Sequence, residues 1–177
     1  MALFIIVEDG SIVEGANTYV DPAGTVAADY FDSHLYASAW TSATLEQRSK
    51  ACIMATRYVD ELVKWKGAKK QSNQPRAWPR KQLYLDGEYL ADDVIPLDLQ
   101  QAVCETALAF LAGDRISDTG KTAGISSIGL GDGALNLQFN QPDPTRNLTI
   151  IPSQAADILE KYGAVEAKGF KMVSVSR

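Results

Sequence analysis

The chain has 177 residues, 46% of them hydrophobic and 22% charged, and a formal net charge of −5. These are ordinary globular values at one-domain length, so they allow a real core and exclude gross disorder or dependence on metals and disulfides. The charge is uneven: Lys64 to Lys81 hold seven basic residues and no acid between two acidic flanks, and with a Debye length of about 8 Å such a patch acts almost alone.

Leu3 to Val7 read as a short strand or extended arm that stops at Glu8-Asp9-Gly10. The opening lacks a basic segment and is too short for a signal peptide, and no run approaches the roughly 18 apolar residues that cross a bilayer, so no membrane partner is expected. Asp21-Pro22 predicts a first helix over about Pro22 to Ser33, with Val26, Ala27, Tyr30 and Phe31 at helical spacing. Thr44 and Gln47 form a capping-box pair ahead of the best amphipathic run, in which Cys52, Ala55, Val59 and Leu62 recur every three or four residues. That helix is expected to run to about Trp65 and stop by Gly67.

Asp86-Gly87, between Leu83-Tyr84-Leu85 and Tyr89-Leu90, predicts a small hairpin. Leu97 to Ala112 follow as a third helix that ends at Gly113 and packs on the second. Between Gly120 and Gln141 the period changes to two, with Leu135, Leu137 and Phe139 alternating with polar residues. A last helix is expected from about Pro152 to Tyr162. Beyond it, Ala164 to Arg177 are either loose or a strand awaiting a partner. Together these give a mainly α fold, a small helical bundle with a minor β-hairpin or strand element. It is one domain over 1–163 with a β insertion near 120–141, then an extended C-terminal tail over 164–177.

Catalytic chemistry finds little purchase. Gly129-Leu130-Gly131-Asp132-Gly133-Ala134 matches a loose dinucleotide pattern, but a strand rather than a helix is expected behind it, so it reads as a hairpin turn. His34, the sole histidine, has no nucleophile motif beside it, and the acid clusters lack the rhythm of a calcium loop. Cys52 and Cys104 read as buried core thiols. No catalytic, cofactor or metal residues are assigned, and no enzyme is expected.

The basic island carries three readings. Its cations and tryptophans can neutralise phosphates and stack bases, anchor a protein interface, or simply form a solvated helix end with buried rings. The candidate contact residues are Lys64, Lys66, Lys69, Lys70, Arg76, Arg80 and Lys81, with Lys168, Lys171 and Arg177 in the tail. Trp65, Gly67, Trp78 and Pro79 are candidate structural anchors.

The order of signals carries a resemblance. IVEDG, Ala16-Asn17-Thr18-Tyr19-Val20, TRYVDELVKWKG, AWPR, and IP before LQQAVCETALAFLAG look like a phage family labelled DnaT-like single-stranded DNA-binding proteins. Its members resemble the small head-to-tail connector, or adaptor, proteins of tailed bacteriophages. The resemblance covers about Ile6 to Gly113 and is most specific at Trp65-Lys66-Gly67 and Ala77-Trp78-Pro79-Arg80. What it implies is a helical protomer made in the host cytoplasm and placed in the virion neck. There it would assemble as a homo-oligomeric ring, commonly of twelve, between the portal protein and a tail or stopper protein. Double-stranded DNA would pass through without specific binding. The family label implies the alternative, a single-stranded DNA-binding protein of phage replication. Gln74-Pro75-Arg76, ahead of AWPR, departs from the small or polar residue expected there.

Overall fold

The computed structural model describes residues 3–116, 125–131, 134–139 and 150–166. Five helices and four small antiparallel strand pairs make up the described fold, which is mainly helical with minor sheet.

The first helix, α1 (Thr25–Asp32), starts one turn later than Asp21-Pro22 suggests. The Asp21 carboxylate accepts from the amide of Ala23 at 2.9 Å, and Gly24 N–H donates to the Asp21 carbonyl at 3.0 Å. Asp21 therefore closes a turn ahead of the helix instead of capping it. A single turn of helix that the sequence did not advertise, α2 (Ser38–Thr41), places Trp40 against Phe31 with ring centroids 4.1 Å apart.

The long helix α3 (Leu45–Leu62) opens on the capping box: Thr44 Oγ1 accepts from Gln47 N–H, and the Gln47 side chain accepts from Thr44 N–H at 2.8 Å. It ends earlier than expected, because Val63 turns into strand β1 (Val63–Trp65). β-Branched Val63 suits an extended backbone, and the strand has a partner waiting. Two residue pairs follow, β2 (Ala68–Lys69) with β3 (Arg80–Lys81) and β4 (Tyr84–Leu85) with β5 (Glu88–Tyr89). The last closes on Asp86 and Gly87, both at positive φ (50° and 92°), as a tight hairpin requires.

Helix α4 (Leu97–Ala112) is the centre of the bundle, meeting α1, α2, α3 and α5 (Ser153–Leu159). Cys52, Ala55 and Val59 of α3 and Leu99, Val103, Cys104 and Ala107 of α4 are all fully buried, and the small residues among them let the helices approach. Ala155 and Leu159 fill the α5 side. Strands β6 (Ile125–Gly131) and β7 (Ala134–Phe139) pair with one another, so a strand stands behind the glycines of the GLGDG stretch.

The chain then returns to the helical body. Strand β8 (Gly163–Val165) pairs antiparallel with β1, with Lys64 opposite Ala164 and Trp65 opposite Gly163. The start of the segment read as a tail is thus the missing partner of β1. A Cβ on Gly163 would lie 2.7 Å from the Val63 side chain and 2.8 Å from the Lys64 carbonyl, so the close approach needs glycine. Residues 167–177, including Lys168, Lys171 and Arg177, lie outside the described residues.

Candidate functional site

The N-terminal segment is held by its own polar side chains. Glu8, with no exposed surface, accepts from the amides of Gly10, Ile12 and Val13, each at 3.0 Å, which folds the chain after Val7 into a compact loop. Gly10 sits at φ 104° with its α-carbon against the backbone of Asp93, where a Cβ would fall 2.0 Å from the carbonyl oxygen. The Asn17 side chain accepts from Ile6 N–H and donates to the Phe4 carbonyl, pinning the arm before that loop. The IVEDG and ANTYV segments are therefore one folded unit.

That unit delivers Tyr19 to a buried polar node. The Tyr19 hydroxyl donates to Asp60 Oδ1 at 2.6 Å and accepts from Trp78 N–H at 3.0 Å. Asp60 Oδ2 accepts from Ala77 N–H at 3.1 Å and faces the Arg76 guanidinium at 3.6 Å. Burial, then the Asp60 charge, pushes the Tyr19 hydroxyl well above its ordinary range, so it keeps its proton and donates. Burial raises the Asp60 carboxyl too, against the downward pull of Tyr19, Ala77 and Arg76. Three of the segments that carry the resemblance, ANTYV, RYVDEL and AWPR, meet here. None contributes a nucleophile or an open coordination position.

Next to the node, most of the basic island is consumed by the fold. Arg80 is 7% exposed and its guanidinium donates to three carbonyls: Lys66 at 2.7 Å, Gly67 at 2.8 Å and Ala77 at 3.0 Å. Lys66 Nζ donates to the carbonyls of Glu160 and Lys161 at the C-terminal end of α5, where a cation also suits the helix dipole. Lys70 pairs with Asp92 at 3.1 Å, and Arg76 with Asp60. Lys64, Lys69 and Lys81 remain exposed. In the β2–β3 ladder Lys69 lies opposite Arg80 and Lys81 opposite Ala68, which puts the two lysines on opposite faces.

The anchors are equally specific. Trp78 has no exposed surface and packs edge-on against both Trp65 (5.7 Å) and Tyr162 (5.5 Å), joining the island to α5. Both indole N–H groups are buried without a hydrogen-bond partner. The Trp78–Pro79 peptide is cis, and Pro79 is buried. Gly67 sits at φ 67°, where a Cβ would lie 2.7 Å from the Lys81 carbonyl. The Ala68 to Ala77 loop is braced from within, because buried Gln74 accepts from Gln71 N–H and donates to the carbonyls of Arg76 and Pro79. Within the Gln74-Pro75-Arg76 stretch that departs from the expected pattern, Gln74 is thus the loop's own brace and Arg76 pairs with Asp60.

Elsewhere, Glu105 Oε1 receives both the Tyr30 hydroxyl and His34 Nε2, while Tyr36 N–H donates to His34 Nδ1. Both ring nitrogens are occupied, which leaves no lone pair for general-base work. Among the described residues, no group of three His, Cys, Asp or Glu side chains is placed to hold a metal. Within the same residues, no helix is long and apolar enough to cross a membrane.

Compared with known proteins, residues 2–177 match the model of the family described as "Putative DnaT-like ssDNA binding protein". No curated protein and no solved structure matches the chain. By a match over its whole length, the chain belongs to this DnaT-like family.

Proposed function

We propose that the protein is a structural subunit of a tailed-phage virion, a head-to-tail adaptor that assembles as a ring below the portal. In this reading it joins the capsid to a tail or stopper protein, continues the DNA channel, and performs no catalysis. The observation that carries it is the internal use of the basic island. Arg80, Arg76, Lys66 and Lys70 are engaged by carbonyls and carboxylates of the same chain, and Lys69 and Lys81 face opposite ways. A phosphate track needs several free cations along one path. The large exposed apolar side chains, among them Phe4, Leu35, Tyr36 and Tyr89, suit protein interfaces. The resemblance to connector proteins supplies the choice of assembly. Native mass spectrometry of the purified chain, together with electron microscopy of virions, tests this: a ring located at the portal is expected, and absence of the subunit from mature particles overturns it.

Family membership by its description favours a second reading, a single-stranded DNA-binding protein of phage replication. Its cations would be Lys64, Lys69 and Lys81. Fluorescence anisotropy with labelled oligo-dT separates the two. The replication reading expects affinity that falls steeply with salt and is weakened by charge reversal at those lysines, and the adaptor reading expects no binding at low salt.

A further inference from the structure

The β4–β5 hairpin presents an aromatic surface that nothing else in the described chain covers. Tyr84 and Tyr89 lie opposite each other in the ladder, 59% and 74% exposed, with ring centroids 5.1 Å apart. The other face is fixed: Leu85 packs against the core, Leu83 is buried, and Leu90 N–H donates to the Leu83 carbonyl at 2.8 Å. The pair therefore stands outward on an anchored base. In the same stretch, Tyr84 to Asp93 carry four acids (Asp86, Glu88, Asp92 and Asp93) and no cation; the register puts Glu88 on the Leu85 face and leaves Asp86 at the turn that joins the two tyrosine strands. One ammonium already docks on this rim, that of Lys70 on Asp92. Tyrosine faces edged by carboxylates attract lysine and arginine through both the ring quadrupole and charge.

The chain has a segment of matching chemistry. Ala167 to Arg177 contain three cations, Lys168, Lys171 and Arg177, and no acid. The chain reaches Ala167 from β8, which runs antiparallel to β1, with Glu166 N–H on the Leu62 carbonyl. Glu166, the last described residue, therefore lies beside Leu62, at the end of β1 remote from Gly67 and Lys81, where the chain continues toward the hairpin.

We propose that the Tyr84–Tyr89 hairpin is the receptor for the cationic C-terminal segment of a second copy of this chain. This rests on the assembly reading and adds to it a subunit contact. The probe is a fluorescein-labelled peptide of residues 167–177, titrated into full-length protein carrying K168E/K171E/R177E so that its own segment cannot compete. Saturable, salt-sensitive binding is expected. It should weaken about tenfold in Y84A/Y89A, and measurably in D86N. All three positions are exposed, so melting curves should stay unchanged. No binding, or binding indifferent to these substitutions, overturns the proposal. So does a wild-type monomer that refuses the peptide because its own segment fills the hairpin. The two readings fail separately: rings without peptide binding leave the adaptor and remove this contact, whereas peptide binding without rings does the reverse.

Discussion

The node at Tyr19 and the hairpin at Tyr84 are made of the same materials, tyrosine and carboxylate, and lie close in sequence through AWPR. In the node, Tyr19, Asp60, Arg76 and the Ala77 and Trp78 amides meet from three distant segments and turn inward. In the hairpin, Tyr84, Tyr89 and Asp86 are joined by a local turn and face outward. Residue type does not distinguish a structural polar cluster from a recognition surface. What distinguishes them is how many protein groups each polar atom already satisfies.

Mutations can break this contrast. The largest effect is expected at Trp78→Ala, about 3 to 5 kcal/mol by urea denaturation, because a fully buried ring leaves a cavity. A loss below about 1 kcal/mol would remove Trp78 from the core. Asp60→Ala is next, near 3 kcal/mol, since it strips the acceptor from Tyr19, Ala77 and Arg76 together. Arg80→Met should cost roughly 1 to 3 kcal/mol through three carbonyls left without their donor.

A pH-dependent effect comes from the end of the bundle. Lys161 beside Asp98, with the Tyr162 hydroxyl, holds the Asp98 carboxyl below the usual carboxylate range. A carboxyl depressed in the fold contributes stability that is present above its unfolded pKa and lost as pH falls through the folded one. Thermal melts in acid should therefore show a shallower decline for Asp98→Asn than for the wild type. At the small end, Tyr84→Ala and Tyr89→Ala should change stability by no more than about 0.5 kcal/mol; a larger loss in the same denaturation assay would make the hairpin a second structural node.

Local signals in the sequence were legible where local physics decides. The capping box at Thr44, the boundaries Leu97–Ala112 and the Asp86-Gly87 turn are all written within a few residues, and the structure has each. The node was not legible, because on the amphipathic pattern of α3 Asp60 counts as an outer-face acid, and only the distant Tyr19 and Ala77 make it a half-buried acceptor. The pairing of β1 with β8 joins three-residue strands about a hundred residues apart, too short for any periodicity to announce. Composition likewise treats Arg80 and Lys81 alike, whereas their alternation in β3 buries one and exposes the other.

The two cysteines give the bundle a clock. Burial lifts the Cys52 thiol to about 12 and raises Cys104 as well, so neither is a thiolate while α3 and α4 stay together. Alkylation should then proceed only as fast as the helices part. Its rate measures how often the α3–α4 seam opens.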